Sequence, residues 1–182
     1  MSDTWLTVLG LVGALALVAL NGLFVATEFA FVAVRQTRIE QLAKVGQGRA
    51  RLLSASLKDL DRYIAATQLG ITMASLALGW VGEPAVGRIV EPPLDALIGG
   101  IVAESIAASA SFVLAFALIT TFHIVFGELA PKTVALQRSE ATALWVVSEI
   151  QTVKGGGTVV PAASQAAVSE NLSLVTFRAR GW

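Results

Sequence analysis

Oxygen-bearing side chains lie inside three otherwise apolar stretches of this sequence. In the first stretch, Asn21 and Glu28 are seven residues apart and therefore share one face of a helix. The second stretch carries a polar stripe at helical spacing, and the third carries a carboxylate close to a proline. The members of these two clusters are Gln68, Thr72, Ser75 and Gly79, followed by Thr121, Glu128, Pro131 and Lys132. A polar group at membrane depth is costly unless it is paired or faces water, so each cluster is a candidate functional site.

The third cluster has the chemistry of a cation site. Pro131 lacks a backbone donor and crowds the carbonyl of Gly127, so we expect the helix to kink or break there. A freed carbonyl beside the Glu128 carboxylate is an arrangement that membrane transporters use to bind cations. The alternative is that Glu128 pairs with Lys132, which lies one helical turn further along the chain.

The atoms of these clusters that could bind a cation are amide, hydroxyl, carboxylate and carbonyl oxygens. Hard cations such as Mg²⁺ and Na⁺ prefer these ligands, whereas zinc and copper favour histidine or cysteine. The chain has no cysteine and one histidine, His123, which we expect to be a hydrogen-bonded interior residue rather than a ligand. The residues thus predict a small-cation pathway and leave the ion and its direction open.

Each cluster also has a purely structural interpretation. Asn21 alone could make a hydrogen bond between helices, and Glu28 could pair with Arg35 at the membrane surface. Hydroxyl-bearing and small residues such as those of the second cluster often serve only to pack helices together.

The composition sets the environment in which these groups must work. Of the 182 residues, 55% are hydrophobic and only 14% are charged, and the mean hydropathy is +0.72. Soluble domains carry about 25% charged residues, and a soluble chain of this length could not bury so much apolar surface. A soluble enzyme is therefore not expected, and neither is a membrane enzyme, because no nucleophile–base pair is visible. No nucleic-acid partner is expected.

Three segments are apolar enough to cross a bilayer, at about 5–34, 63–81 and 105–127. We predict an all-α integral membrane protein with three transmembrane helices, because backbone polar groups must be satisfied within the lipid. A cleaved signal peptide is a weaker interpretation of the first segment, since no basic residue precedes Arg35. We expect a multi-pass protein of the inner or plasma membrane of the cell.

The charges on the connections predict the orientation. Residues 35–62 hold seven basic residues against three acidic ones, whereas 82–104 hold one basic residue against four acidic ones. The first connection is therefore predicted to be cytoplasmic, with the N-terminus outside and the C-terminus inside. Apolar residues at helical spacing predict short cytoplasmic amphipathic helices near the inner leaflet within 36–60, and a further helix at about 139–150. Prolines and glycines predict a turn-rich outer connection with one or two helical turns.

Three ordered motifs resemble the transmembrane domain of the CorC/cyclin M (CNNM) magnesium transporter family. They are LNGLFVATEFA at 20–30, TQLGIT through LGWVGEP at 67–84, and HIVFGELAPK at 123–132. The resemblance covers about 5–150. It implies a homodimeric transporter that exports Mg²⁺ through a site open to the cytoplasm, with Na⁺ as the counter-ion. A Mg²⁺-sensing regulator or scaffold without transport, and a passive cation channel, are the alternatives.

The resemblance also implies which residues hold the ion. Carried over by motif, the Mg²⁺ site falls on Asn21, Ser75 and Glu128, with the carbonyl of Gly70 as a further candidate. Residues expected to line the pathway or support it are Glu28, Gln68, Thr72, Thr121, Gly127, Pro131 and Lys132. Members of the family continue into paired nucleotide-binding CBS modules, whereas 151–182 matches neither the juxtamembrane helix nor those modules. We expect this tail to be weakly ordered.

Overall fold

The computed structural model describes residues 2–98 and 104–155, and the side chains of 4–98 and 105–147. The described chain consists of helices and the short turns between them. These are α1 (Ser2–Ala33), α2 (Gln36–Lys44), α3 (Gly48–Ser56), a 3-10 turn (Leu57–Asp59), α4 (Leu60–Ile98), α5 (Glu104–Phe122), a π-helical segment (His123–Leu129), α6 (Ala130–Gln137) and α7 (Ser139–Gly155). The predicted all-α class is confirmed.

Three helical stretches are long and apolar enough to cross a membrane. They are Thr4–Ala33, part of the stretch Gly48–Ile98, and Ser105–Gln137. The third combines α5, the π-helical segment and α6 into one continuous helical path. Helix α1 packs against α4 along most of its length, and against the π-helical segment and α6 near its end. The first span is therefore the element around which the other two are arranged.

The predicted turn-rich outer connection is wrong. Helix α4 continues to Ile98, with Pro84, Pro92 and Pro93 inside it. Around Pro84 the reason is packing, because Gly82 is buried against Ile119 of α5 and Ala85 against Gly10 of α1. Contacts on both sides of the proline hold the helix where local propensity alone would end it. The remainder of that connection, 99–103, lies outside the described residues.

A second layer of short helices covers the end of α1. Helices α2 and α3 lie within the predicted 36–60, and α7 begins at Ser139 and extends beyond the predicted end. Their apolar side chains form a buried cluster with the end of α1: Ala30, Phe31, Val34, Ile39, Ala50, Leu53, Leu57, Ala135, Ala143, Val146 and Val147. The apolar faces of α2 and α3 therefore pack mainly on protein, whereas their spacing also allowed contact with lipid. Residues 156–182, most of the predicted tail, lie outside the described part of the chain.

Candidate functional site

Asn21 joins α1 to both other spans. Its side chain is 1% exposed, and Nδ2 donates a hydrogen bond to the carbonyl oxygen of Gly127 at 2.9 Å. The hydroxyl of Ser75, on α4, donates to Oδ1 of Asn21 at 3.4 Å. The structure thus brings together one residue from each of the three apolar stretches that carry the polar clusters.

Pro131 explains why the Gly127 carbonyl needs this donor. In an α-helix that carbonyl would accept from residue 131, and proline has no N–H to give. The chain responds by widening into the π-helical segment, in which the N–H of Ala130 donates to Val125, five residues back. The helix is therefore widened and continues to Gln137, where the sequence predicted a kink or a break. Asn21 donates to the Gly127 carbonyl from the neighbouring helix, where proline cannot.

Gly22 allows α1 to approach closely enough for this bond. A methyl group added at Gly22 would lie 2.9 Å from Cγ of Pro131 and 3.4 Å from the carbonyl oxygen of Phe126. Real side chains essentially never tolerate the shorter of these distances, so any larger residue would push the two helices apart. The close approach of α1 to the third span is thus made at Gly22, and its partner is the proline.

Helices α1 and α4 are held in register by a repeated contact. Seven residues beyond Asn21, the Oε1 atom of Glu28 accepts a hydrogen bond from Nε2 of Gln68 at 3.4 Å. Gln68 in turn lies seven residues before Ser75. Because the helices run antiparallel, the two α1 residues share one face of α1 and the two α4 residues share one face of α4. The two contacts are therefore about two helical turns apart. Glu28 therefore accepts a hydrogen bond from Gln68 of α4 and forms no ion pair with Arg35.

An open cavity of about 380 Å³ lies between these two contacts and the π-helical segment. Its polar lining comes from all three spans: Glu28, Gln68, Thr72 and Glu128. Its apolar walls are Val25, Phe29 and Ile71. Val25 follows Asn21 by one helical turn and Thr72 precedes Ser75 by nearly one, so the cavity adjoins the Asn21 contacts.

The cavity holds two carboxylates, Glu28 and Glu128, that have no ion-pair partner among the described residues. Lys132 lies over the ring of Phe29, with Nζ 4.5 Å from its centre, and makes no ion pair with Glu128 among the described residues. In that part of the chain the sole ion pair joins Arg38 to Glu140. The Glu128–Lys132 pair, which was the alternative to a cation site, is thus not formed, and the cavity is suited to a cation.

The oxygen atoms that line the cavity are the ligands that a hard, partly hydrated cation prefers. Within the described ranges no group of three or more histidine, cysteine, aspartate or glutamate side chains could hold a metal ion. The cavity instead offers two carboxylates beside hydroxyl and amide oxygens. Mg²⁺ keeps several waters and is usually bound by one or two carboxylates, so these ligands can serve it without a closed protein cage.

Other predicted site residues lie elsewhere. Gly70 packs against Phe24, whose ring would be 2.7 Å from an added methyl group, and it does not line the cavity. Thr121 is exposed and also lies off the cavity. His123 differs from the expected hydrogen-bonded residue, because its buried Nε2 has no hydrogen-bond partner in the described structure. The His123 ring lies over Gly127, in the π-helical segment.

Sequence reasoning missed the role of Phe29 and the walls of the cavity. Phe29 forms the surface on which the Lys132 ammonium rests, and this contact withdraws that cation from Glu128. The signal for Val25 was available, since it lies between Asn21 and Glu28 on their shared face. No spacing within one helix could have paired Phe29 with Lys132, which are 103 positions apart in the printed sequence.

Comparison with known proteins gives one consistent match. Residues 12–154 match the family model described as cyclin M transmembrane N-terminal domain. The chain is 46% identical over 135 residues to the UPF0053 protein YhdT of Bacillus subtilis, covering 74% of this chain and 29% of that protein. It is 41% identical over 143 residues to YugS of the same organism, covering 79% and 33%. It is 34% identical over 134 residues to the uncharacterized protein Rv1841c of Mycobacterium tuberculosis, covering 74% and 37%. The chain therefore spans about a third of the length of these curated relatives.

The link between Asn21 and Pro131 can be tested by a double-mutant cycle. Asn21→Ala alone should lower the free energy of unfolding by about 1–3 kcal/mol, because a buried carbonyl loses its donor. In a Pro131→Ala background the same change should cost clearly less, since residue 131 then supplies an N–H. Thermal unfolding of the purified protein in detergent measures both effects. Thr121→Ala, at an exposed position, is the control, and strictly additive losses would contradict the account.

Proposed function

Because this chain belongs to the cyclin M transmembrane-domain family, we propose that it is the membrane core of a Mg²⁺ transporter. The observation that carries the proposal is the meeting of all three spans at one cation-suited cavity. Glu28 and Glu128 line the cavity, and the contacts of Asn21 with Ser75 and the Gly127 carbonyl adjoin it without forming part of its lining. A membrane protein seldom keeps unneutralised carboxylates at span depth without a function for them.

The lining suggests an order in which the ion meets its ligands. Glu28 and Gln68 lie toward the end of α1 nearest α2, so a hydrated Mg²⁺ entering from that side would meet the Glu28 carboxylate first. Glu128 and Thr72 follow in the same cavity. Carboxylates attract the ion while it retains water, which suits the reluctance of Mg²⁺ to dehydrate.

Asn21 and Ser75 form the innermost ligands of the proposed site. The Oδ1 atom of Asn21 accepts only a long bond from Ser75, at 3.4 Å. A rotation of the Ser75 hydroxyl would therefore free two neutral oxygens for the ion at small cost. Asn21 would remain held by its shorter bond to Gly127, so its oxygen would be oriented before the ion arrives.

Several features of the proposal rest on the family resemblance and on charge patterning. We place the N-terminus outside and the α2–α3 connection in the cytoplasm of the cell, so that the cavity opens inward. The protein acts as a homodimer, exports Mg²⁺ and uses Na⁺ as the counter-ion. It is a transporter rather than an enzyme, and the lipid bilayer surrounds its three spans.

Flux measurements in proteoliposomes test transport directly. The purified chain should move Mg²⁺, followed by an enclosed Mg²⁺-sensitive dye, when a Na⁺ gradient is imposed. Glu128→Gln should reduce the initial rate by about tenfold or more, because the site loses its ligand charge. Glu40→Gln, which removes the same charge from an exposed position on α2, should leave the rate unchanged.

Two outcomes would replace the proposed mechanism. Mg²⁺ flux that ignores the Na⁺ gradient would identify a passive cation channel. Mg²⁺ binding without any flux in folded, reconstituted protein would identify a sensor or scaffold. Full transport by Glu128→Gln would contradict the assigned site.

Orientation can be measured cleanly because the chain contains no cysteine. Gln47→Cys, between α2 and α3, should react with a membrane-impermeant maleimide only after intact cells are permeabilised. Glu91→Cys, an exposed position near the opposite end of α4, should react without permeabilisation. The reverse pattern would place the cavity on the outer side of the membrane and would contradict inward opening.

A further inference from the structure

A second open cavity, of about 570 Å³, lies where two membrane spans end. One wall comes from the α1–α2 junction and carries Arg35, Thr37, Arg38 and Gln41. The other wall comes from the start of α7 and carries Ser139 and Glu140. No step of the proposed ion pathway uses this cavity.

The position of the cavity is fixed by the lengths of the spans. The first span ends at Ala33 and the third at Gln137, immediately beside the two walls. The 30 residues of the first span measure about 45 Å along the helix, which matches the thickness of a bilayer including its headgroups, about 40–45 Å. The arginines that follow this span therefore lie at the level of lipid headgroups.

The charge of the cavity favours an anion. Two arginines face one carboxylate, and the Arg38–Glu140 pair is long, at 3.6 Å, with both side chains about half exposed. Such surface pairs are weak, so Arg38 can exchange Glu140 for another anion. Arg35 makes no ion pair among the described residues. Guanidinium groups bind phosphate through two parallel hydrogen bonds, and hydroxyl and amide donors on both walls can add to them.

Apolar surface continues from the cavity toward the bilayer. Leu136 lines the cavity and is 51% exposed, and Val32, beside the lining residue Ala33, is 59% exposed. A ligand that combines a phosphate with an acyl chain would contact both the arginines and this surface. A soluble phosphate would contact the arginines alone.

We propose that the cavity between the α1–α2 junction and the start of α7 is a binding site for the phosphate group of an anionic membrane lipid, held by Arg35 and Arg38. The site has the character of the basic pockets between spans that bind anionic headgroups. The inference depends on where the spans end and on the cavity lining, and it stands whether or not the protein transports Mg²⁺.

Native mass spectrometry of the detergent-purified full chain provides the test. Phosphatidylglycerol should bind in preference to phosphatidylcholine, with glycerol phosphate and inorganic phosphate as soluble probes. Arg35→Gln/Arg38→Gln should weaken phosphatidylglycerol binding by about tenfold or more. Arg49→Gln/Lys58→Gln removes two charges from exposed positions on the same connection outside the cavity, and should change binding by less than about twofold. Arg35→Lys/Arg38→Lys should give an intermediate loss of phosphatidylglycerol binding, because lysine keeps the charge but lacks the planar guanidinium that forms two parallel hydrogen bonds.

A gain-of-binding variant keeps the proposal testable if the double arginine variant does not fold. Glu140→Gln removes the competing carboxylate and should tighten phosphatidylglycerol binding several-fold. Inorganic phosphate binding as strongly as the lipid, and lost in Arg35→Gln/Arg38→Gln, would assign the same site to soluble phosphate. No preference for phosphatidylglycerol over phosphatidylcholine, equal losses in the two double variants, or unchanged binding by folded Glu140→Gln would each overturn the proposal.

Discussion

The carbonyl of Gly127 lies within a membrane span, four residues before Pro131, which has no N–H to donate to it in an α-helix. Lipid offers no replacement, so the donor must come from protein, and Asn21 supplies it at 2.9 Å. That requirement draws α1 against the third span, and Gly22 provides the space for the contact. The widened π turn, the close helix approach at Gly22 and the buried Asn21 side chain thus occur together around this proline.

The same bond positions the proposed site. Once Asn21 is held by Gly127, its Oδ1 atom faces Ser75, and the seven-residue repeat on both helices brings Glu28 to Gln68. The cavity occupies the space between these two contacts. Glu128, which follows Gly127 in the sequence, lines this cavity. Phe29 holds Lys132 by its ring and so leaves the Glu128 carboxylate available to a cation. The disturbed backbone around Pro131 and the proposed ion-binding cavity are thus parts of one arrangement.

Much of this was predictable from spacing along single helices. The shared faces of Asn21 with Glu28 and of Gln68 with Ser75, and the disturbance at Pro131, all follow from helix periodicity and proline chemistry. Pairings between helices did not follow, because periodicity carries no information about register between distant segments. The prediction for the outer connection was wrong since Gly82 and Ala85 pack on two neighbouring helices and hold α4 through Pro84. The apolar faces of α2 and α3 were visible in the sequence, whereas the protein surface that covers them was not.

The proposed cation site, formed where the three spans meet, depends on the charge that Glu128 supplies. The most direct test is Mg²⁺ binding by isothermal titration calorimetry to the detergent-purified chain. Wild type would be measured beside Glu128→Gln and beside Glu91→Gln, which removes an equal charge from an exposed position on α4. Wild type and Glu91→Gln should bind Mg²⁺ with millimolar or tighter affinity, and Glu128→Gln should lose this binding. Undiminished binding by folded Glu128→Gln would contradict the assignment of Glu128 to the site.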